Sequence, residues 1–209
     1  MIVNKELKKR ILEISYKKKL SHLGSCLTAV DIIDEIFKIK KPDEKFVLSS
    51  GHAALALYVV LEKYLKNTVD TCVSHRAEYL FDKHGVHPNR DRHIDCSTGS
   101  LGHGIGIAVG MALADRKNNV YCLISDGECS EGSVWEALRI WRRENLSNLK
   151  IYLNFNEYSA YNKTYLGEMP QVTKTYITNF KDFPFLGEQL AHYKVMNEND
   201  YKQAMEILK

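Results

Sequence analysis

The stretch from residue 120 to residue 156 constrains the fold of this chain more than any other. An apolar run of strand length, 120–124, precedes a segment with apolar residues at helical spacing, 134–141, and a second apolar run follows at 149–153. Two strands joined through a helix are normally parallel neighbours in one sheet. The stretch therefore predicts an α/β fold with a doubly wound, mainly parallel sheet that is flanked by helices on both faces.

Similar patterns recur over the rest of the chain. Two further short apolar runs predict strands at 46–49 and 193–195. Helical spacing predicts helices at 5–19, 29–37 and 200–208 and one that ends near residue 65. Thr28 is predicted to cap the second of these helices. Since 209 residues suffice for one sizeable α/β domain, we assign residues 1–209 to a single domain.

Composition argues against several classes of function. The apolar fraction of 44% is that of an ordinary globular protein, and a net charge of +3 is too small to indicate nucleic-acid binding. No apolar run reaches membrane-spanning length, and none follows the start of the chain as in a signal peptide. None of the five cysteines pair as C-x-x-C, and their odd number argues against a fully paired disulfide framework. We therefore expect a cytoplasmic protein without a nucleic-acid or membrane partner.

Two polar side chains lie in the loops that follow the strands of the 120–156 stretch. Asp126 follows the first strand and Asn156 follows the second. The carboxyl ends of neighbouring parallel strands meet at the edge of the sheet where α/β proteins bind ligands. Oxygen donors from two adjacent loops suit Mg²⁺, which often keeps phosphate among its ligands. The alternative is that Asp126 caps a helix and Asn156 lies in a turn, which are common roles of these residues.

Four stretches of the chain, in order, resemble the N-terminal, diphosphate-binding half of transketolases. They read SHLGSCLTA (21–29), LSSGHAALALY (48–58), STGSLGHG (97–104) and SDGECSEGSVWEA (125–137). With Asn156 placed 30 positions after Asp126 (156 minus 126), the last stretch is similar to the thiamine diphosphate motif of Gly-Asp-Gly, a spacer and Asn. Ser125 departs from the first Gly of that motif, and Asn154 stands where many relatives have Asp. The similarity extends from about residue 10 to at least residue 165 and is strongest to split transketolases, whose halves are separate polypeptides.

The resemblance implies thiamine diphosphate as the cofactor, held through Mg²⁺ or through Ca²⁺ or Mn²⁺ in its place. The implied metal ligands are the Asp126 carboxylate, the Asn156 side chain and the backbone carbonyl of Tyr158. Two diphosphate oxygens and a water molecule would complete the octahedron that Mg²⁺ prefers. Asn156 is counted among the cofactor-binding residues for the same reason.

Further residues are implied to bind the cofactor by their family positions. Gly127 would donate its backbone N–H to the diphosphate near a helix start, where anions bind well. The backbone near Gly99 and Leu101 would lie along the aminopyrimidine and the thiazolium. Glu131 matches a glutamate at the family's dimer interface, near the catalytic glutamate of the partner, and we group it with these residues. The alternative is that Glu131 is an exposed acid at a helix start.

Three histidines coincide with family positions. The resemblance implies that His22, His52 and His87 line the channel over the thiazolium and contact donor hydroxyls, and that His52 also contacts the cofactor. Imidazole suits this chemistry because it exchanges protons near neutral pH. For His103, in the glycine-rich stretch, a position near the cofactor and one away from it both stay open. The remaining four are interpreted as surface or capping residues: His75, His84, His93 and His192.

The function implied by the resemblance is transfer of a two-carbon ketol unit between sugar phosphates or related sugars. In transketolases a glutamate on a separate pyrimidine-binding domain activates the cofactor, and we find no segment here for that domain. We therefore expect a second polypeptide, a C-terminal transketolase subunit, in an α2β2 assembly, and no activity of this chain alone. The alternatives are an α-type subunit of a 2-oxo acid decarboxylase or dehydrogenase, and a non-catalytic relative that only binds a partner.

Overall fold

The computed structural model describes residues 2–65, 76–160, 162–179, 181–187 and 192–209. The chain divides into two compact units, which are described separately. The sheet unit comprises Lys38–Gly51 and His87–Thr178. The helical unit comprises Met1–Phe37, His52–Val86 and Asn179–Lys209. The assignment of residues 1–209 to a single domain stays a prediction.

The described residues form seven α-helices and four strands. The helices are α1 (Lys5–Lys18), α2 (Leu23–Ile39), α3 (Ala54–Leu65), α4 (Ala77–His84), α5 (His103–Ala114), α6 (Gly132–Arg143) and α7 (Glu198–Ile207). The strands are β1 (Lys45–Leu48), β2 (Val120–Ser125), β3 (Leu149–Phe155) and β4 (Lys174–Ile177).

The sheet runs in the order β1-β2-β3-β4, and every neighbouring pair is parallel. Ser125 at the end of β2 is in register with Asn154 of β3, so the carboxyl ends of these two strands lie at the same edge. All six residues of β2 are buried, which is the pattern of a strand that is covered on both faces. The prediction of an α/β fold with a mainly parallel sheet is therefore confirmed.

One face of the sheet packs against α5 and α6. Alternate residues of β2, among them Cys122 and Ile124, share a buried cluster with Ile105 of α5 and Leu138 of α6. Complete burial of a large aliphatic side chain stabilises a fold by about 1.5–3 kcal/mol relative to exposure. This cluster therefore fixes the two helices whose first turns lie near the carboxyl edge of the sheet.

The helical unit is built around α3, in which all eight residues from Ala54 to Leu61 are buried. A helix that is apolar all round belongs in a core. Three residues of α1, namely Ile11, Leu12 and Ile14, are fully buried in the same unit. Tyr16 of α1 stacks on Tyr201 of α7, with ring centroids 4.5 Å apart, which joins the two ends of the chain.

Two local predictions are wrong. Residues 193–195 form no strand, because Tyr193 ends a short turn and Val195 is exposed in an irregular segment. Thr28 does not cap α2, which begins at Leu23, five residues earlier. Its hydroxyl instead donates to the carbonyl of Gly24 at 3.0 Å, inside the helix. None of the helices in the described ranges is long and apolar enough to cross a membrane.

Candidate active site

Asp126 connects the end of β2 to the loop after β3. Its side chain is almost fully buried. One carboxylate oxygen, Oδ2, accepts hydrogen bonds from the backbone N–H groups of Asn156 at 3.0 Å and Glu157 at 2.8 Å. The same oxygen accepts a bond from the Thr164 hydroxyl at 2.7 Å. The structure therefore brings Asp126 and Asn156 together at the carboxyl edge of the sheet.

The electrostatic environment of Asp126 favours a cation beside it. Burial raises the pKa of this carboxyl, and hydrogen bonds from Thr164, Asn156, Gly127 and Glu157 offset the rise only in part. A positive charge nearby stabilises the ionised form of a buried carboxylate. A metal ion at this edge would therefore supply the positive charge that the hydrogen-bond donors around Asp126 do not provide.

The loop after β3 is held in a tight conformation. The Asn156 side-chain oxygen accepts a hydrogen bond from the backbone N–H of Tyr158 at 3.0 Å, as in an Asx turn. Glu157 between them has a φ of 72°, in the left-handed region. A Cβ added to Gly127 would lie 3.1 Å from Cα of Ser159, so this loop approaches the start of the β2–α6 connection closely. Glycine at position 127 allows that approach.

The donor set at this edge fits Mg²⁺. A carboxylate, a side-chain amide and a backbone carbonyl are hard oxygen donors, which Mg²⁺ binds together with phosphate and water. In the part of the chain that the structure describes, no three His, Cys, Asp or Glu side chains are grouped so that they could hold a metal. The site proposed here includes one such side chain, Asp126, so it depends on the uncharged oxygens of Asn156 and Tyr158.

Glu128 is a buried acidic residue beside the candidate site that the sequence analysis did not single out. Its carboxylate is fully buried and accepts hydrogen bonds from the Ser49 hydroxyl at 2.5 Å and the backbone N–H of Gly102 at 2.7 Å. The Ser49 hydroxyl in turn accepts from the backbone N–H of Ile105 at 3.1 Å. Burial raises the pKa of Glu128 to about 7, although the hydrogen bonds act in the opposite direction. Glu128 thus fixes the glycine-rich loop to the end of β1.

His87 lies against the glycine-rich loop within the sheet unit. A Cβ added to Gly99 would lie 3.2 Å from Cγ of the His87 ring. A Cβ added to Gly51 would lie 2.8 Å from the backbone nitrogen of Gly99. The Thr98 hydroxyl donates to the Leu48 carbonyl at 2.6 Å. The structure therefore brings together the segments around residues 51, 87 and 99.

Three histidine rings cluster within the helical unit. The centroids of His22 and His52 are 5.3 Å apart, and His192 lies 4.3 Å from His22 and 5.5 Å from His52. Nδ1 of His22 and Nε2 of His192 are 2.8 Å apart, which is hydrogen-bond distance. His192 is thus a second residue that the sequence analysis missed. Its contact with His22 spans 170 positions, which no local pattern reveals.

The family profile described as "Transketolase, thiamine diphosphate binding domain" matches residues 10–177 of this chain. The chain belongs to the transketolase family. One subunit of the apulose-4-phosphate transketolase from Phocaeicola vulgatus is 33% identical over 166 residues, which cover 71% of this chain and 58% of that protein. Human transketolase is 36% identical over 151 residues, which cover 65% of this chain and 24% of that protein.

A solved transketolase structure from Campylobacter jejuni has the same fold. The TM-score is 0.76 over 97% of this chain and 41% of that one, at 20% sequence identity. The transketolase from Leishmania mexicana gives a TM-score of 0.59 over 77% of this chain. This member of the transketolase family therefore spans between about a quarter and three fifths of the length of the curated relatives named above.

The remaining predicted residues of this transketolase-family chain have the following environments. Leu101 lies in the turn just before α5 and is half-buried. Glu131 is exposed at the start of α6, and its side chain makes no capping bond there. A Cβ on Gly102 would come within 2.9 Å of the Glu131 Cβ, so Glu131 lies beside the glycine-rich loop. His103 is exposed at the first position of α5, and His75 lies outside the described residues.

Proposed function

We propose that this chain is the N-terminal subunit of a thiamine diphosphate- and Mg²⁺-dependent transketolase that acts on small sugars in the cytoplasm. The reaction is transfer of a two-carbon ketol unit between sugar phosphates or related sugars. The observation that carries the proposal is the pair of hydrogen bonds that the Asp126 carboxylate accepts from the backbone N–H groups of Asn156 and Glu157, in a chain of this family.

Asp126, Asn156 and the carbonyl of Tyr158 would hold the metal, and the metal would hold the diphosphate. The backbone N–H of Gly127 donates to Oδ1 of Asp126 at 3.0 Å in the structure, so a bond to the diphosphate would replace this one. When bound, thiamine diphosphate supplies the carbanion chemistry. The protein contributes the cation site, the position of the glycine-rich loop and the proton-transferring side chains.

The two departures from the family motif are accommodated. The Ser125 hydroxyl accepts a hydrogen bond from the backbone N–H of Glu128 at 3.3 Å, so it supports the turn in which a glycine is usual. The Asn154 side-chain oxygen accepts from the Thr178 hydroxyl at 2.5 Å, and the Asn154 carbonyl accepts from the Asp126 N–H at 3.0 Å. The fold therefore tolerates both departures, and the retained Asp126, Asn156, His52 and His87 favour a cofactor-binding subunit over a non-catalytic relative.

His22, His52 and His87 are proposed to move protons at the hydroxyl groups of the sugar. Cleavage of a ketose requires removal of a hydroxyl proton and stabilisation of an oxyanion near neutral pH, for which imidazole is suited. His87 contacts the glycine-rich loop, and His22 and His52 contact each other. The 2-oxo acid enzymes are less well supported, because the set of histidines and the Thr-Gly-Ser-Leu-Gly loop at 98–102 resemble those of transketolases.

The outward face of α5 supports the proposal of a separate partner subunit. Ile107 and Leu113 on this helix are 41% and 39% exposed, and Trp135 of α6 is 45% exposed. Gly106 and Gly110 lie on the same face, and a Cβ added to either would meet no atom within 4 Å. An exposed apolar face on a soluble domain is typical of an interaction surface. We assign it to the C-terminal subunit that carries the pyrimidine-binding domain, in an α2β2 assembly.

The proposal is tested by titration and by activity. The chain is purified together with candidate C-terminal subunits, beginning with the product of a neighbouring reading frame. Each complex is then titrated calorimetrically with thiamine diphosphate in the presence and absence of Mg²⁺. Donors are then compared in two panels, ketose phosphates and 2-oxo acids. We expect Mg²⁺-dependent binding and turnover with ketose phosphates only. Turnover restricted to 2-oxo acids, or thiamine diphosphate binding that does not depend on Mg²⁺, would contradict the proposal.

A further inference from the structure

His22 and His192 are joined at two points. Besides the contact between their rings, the backbone N–H of His22 donates to the backbone carbonyl of His192 at 2.9 Å. His22 has a φ of 59°, a conformation that few non-glycine residues adopt, so its backbone is held in place by its surroundings. Two bonds between the same pair of residues define the orientation of the His22 ring much more closely than one bond would.

The segment that carries His192 is itself anchored in the helical unit. Met196, four residues later, is 2% exposed. α7 then starts with a capping box, in which the Asn197 side chain accepts from the Asp200 N–H and the Asp200 side chain accepts from the Asn197 N–H. The stack of Tyr16 on Tyr201 holds α7 against α1. His192 is therefore supported by structure on its C-terminal side.

We propose that His192 is a positioning residue, which holds the His22 imidazole in one orientation and one tautomer through the bond between its Nε2 and His22 Nδ1. The benefit to catalysis rests on the proposed function, whereas the pairing itself rests on the geometry alone. His22 was interpreted as a proton-transferring residue and His192 as a surface or capping residue, so the structure connects a predicted catalytic residue to an unassigned one.

The pairing follows from the chemistry of two imidazoles. At 2.8 Å, one proton can lie between the two facing nitrogens, and two protons there would repel each other. The pKa of His192 is lowered to about 4, first by burial and then by the charge of His22, so the pair carries at most one positive charge near neutral pH. The 2.8 Å separation of the two ring nitrogens is that of a hydrogen bond.

Three titratable side chains, those of His52, Tyr193 and Cys26, lie near the pair within the helical unit. His52 faces both rings, Tyr193 contacts both rings, and Cys26 of α2 lines the same small cavity as His22 and His52. Burial raises the pKa of Cys26 to about 12, so this thiol stays neutral.

The first test is nuclear magnetic resonance of the full chain labelled with ¹⁵N. We expect a scalar coupling between the ¹⁵N nuclei of His22 Nδ1 and His192 Nε2 in the unmodified protein, and complementary single tautomers for the two rings. In His192→Phe, His22 should change to the tautomer mixture of an unpaired imidazole. His192→Gln, whose amide can hydrogen-bond, should retain a single tautomer, and His93→Gln serves as the matched control. Absence of the coupling, or an unchanged His22 tautomer in His192→Phe, would overturn the proposal.

The second test separates this proposal from the proposed function. In the complex with its partner subunit, His192→Phe should lower kcat about tenfold or more and leave the Kd for thiamine diphosphate unchanged, and His192→Gln should recover part of the loss. If the unmodified complex transfers no ketol unit while the coupling between the rings is present, the proposed function fails and the pairing stands. If the complex is active and His192→Phe is as active, the positioning role is refuted.

Discussion

Asp126 is the residue on which most of the candidate site depends, because its carboxylate organises the loop after β3 and would also bind the metal. We expect Asp126→Asn, which removes the charge and keeps the size, to lower the affinity for thiamine diphosphate with Mg²⁺ about tenfold or more. Asp126→Ala should abolish metal-dependent binding. Calorimetry on the assembled enzyme measures both, and Asp115→Asn, at an exposed aspartate beside Asn118, is the control. Unchanged affinity in both Asp126 variants would place the metal elsewhere.

His87 should affect turnover without affecting cofactor binding, because it is proposed to act on donor hydroxyls rather than on the diphosphate. We expect His87→Ala to lower kcat about 10²-fold. The measurement is steady-state kinetics of the assembled enzyme together with calorimetry of thiamine diphosphate, and His93→Ala is the control. Full activity of His87→Ala would remove this residue from the site. A lost affinity for the cofactor would show instead that His87 supports the glycine-rich loop, which its ring contacts at Gly99.

His192 should make the stability of the fold depend on pH. In the unfolded chain it would titrate near 6.5, whereas burial and the charge of His22 lower its pKa to about 4 in the folded protein. As the pH falls from 7, the unfolded state therefore takes up the proton first, and the stability contributed by neutral His192 is lost between about pH 6.5 and 4. Urea unfolding over this pH range should show that the free energy of unfolding falls less steeply with falling pH for His192→Phe than for the unmodified chain or for His93→Phe. Parallel curves for all three would contradict the lowered pKa.

Among the secondary-structure elements, the apolar patterns predicted the buried strands and missed β4, in which no residue is buried. The runs at 120–124 and 149–153 correspond to β2 and β3, which are buried along their length. In β4 none of the four residues is buried, so hydrophobic pattern gives no signal for an edge strand of this kind. The run at 193–195 includes Lys194 and belongs to an irregular segment, because three residues are too few to specify a strand when tertiary contacts favour another conformation.

The candidate site was predictable in its local parts and not in its long-range ones. Asp126 and Asn156 could be placed at one edge because each directly follows a strand of the same predicted unit. The carboxylate of Glu128 bonds groups of Ser49 and Gly102, which are 79 and 26 positions away. Such contacts depend on how whole elements pack, which residue spacing does not encode.

Two glycines at the start of α5, Gly102 and Gly106, should respond in opposite ways when each is replaced by alanine. Gly102 has a φ of 78°, and a Cβ there would lie 2.2 Å from the Ser133 hydroxyl oxygen. We expect Gly102→Ala to destabilise the isolated chain by about 1–3 kcal/mol. Gly106→Ala, at an exposed helical position with open space around it, should stabilise it by about 0.5–1 kcal/mol. Urea unfolding measures both, and equal effects of the two substitutions would contradict the strained conformation of Gly102.

For the whole molecule, the exposed face of α5 and α6 predicts dependence on a partner. We expect Ile107→Glu and Leu113→Glu to abolish ketol transfer and co-purification with the C-terminal subunit, because a charge in an apolar interface is costly. Circular dichroism of the isolated chain should be unchanged, since both side chains are exposed. Ile39→Glu, at another exposed apolar position, is the control. Robust ketol transfer by the single purified chain would show that no partner is needed.

The buried carboxylate of Glu128 also bears on which helix start is open to the proposed cofactor. The aligned peptide dipoles of α5 place a partial positive charge at its first turn, and such a helix end ordinarily draws an anion from solution. Here Glu128 and Ser49 already accept hydrogen bonds from the N–H groups of Gly102 and Ile105 at that end. The N–H groups at the start of α5 are therefore already satisfied from within the protein, and the proposed diphosphate would bind at the short helix that begins at Gly127 instead.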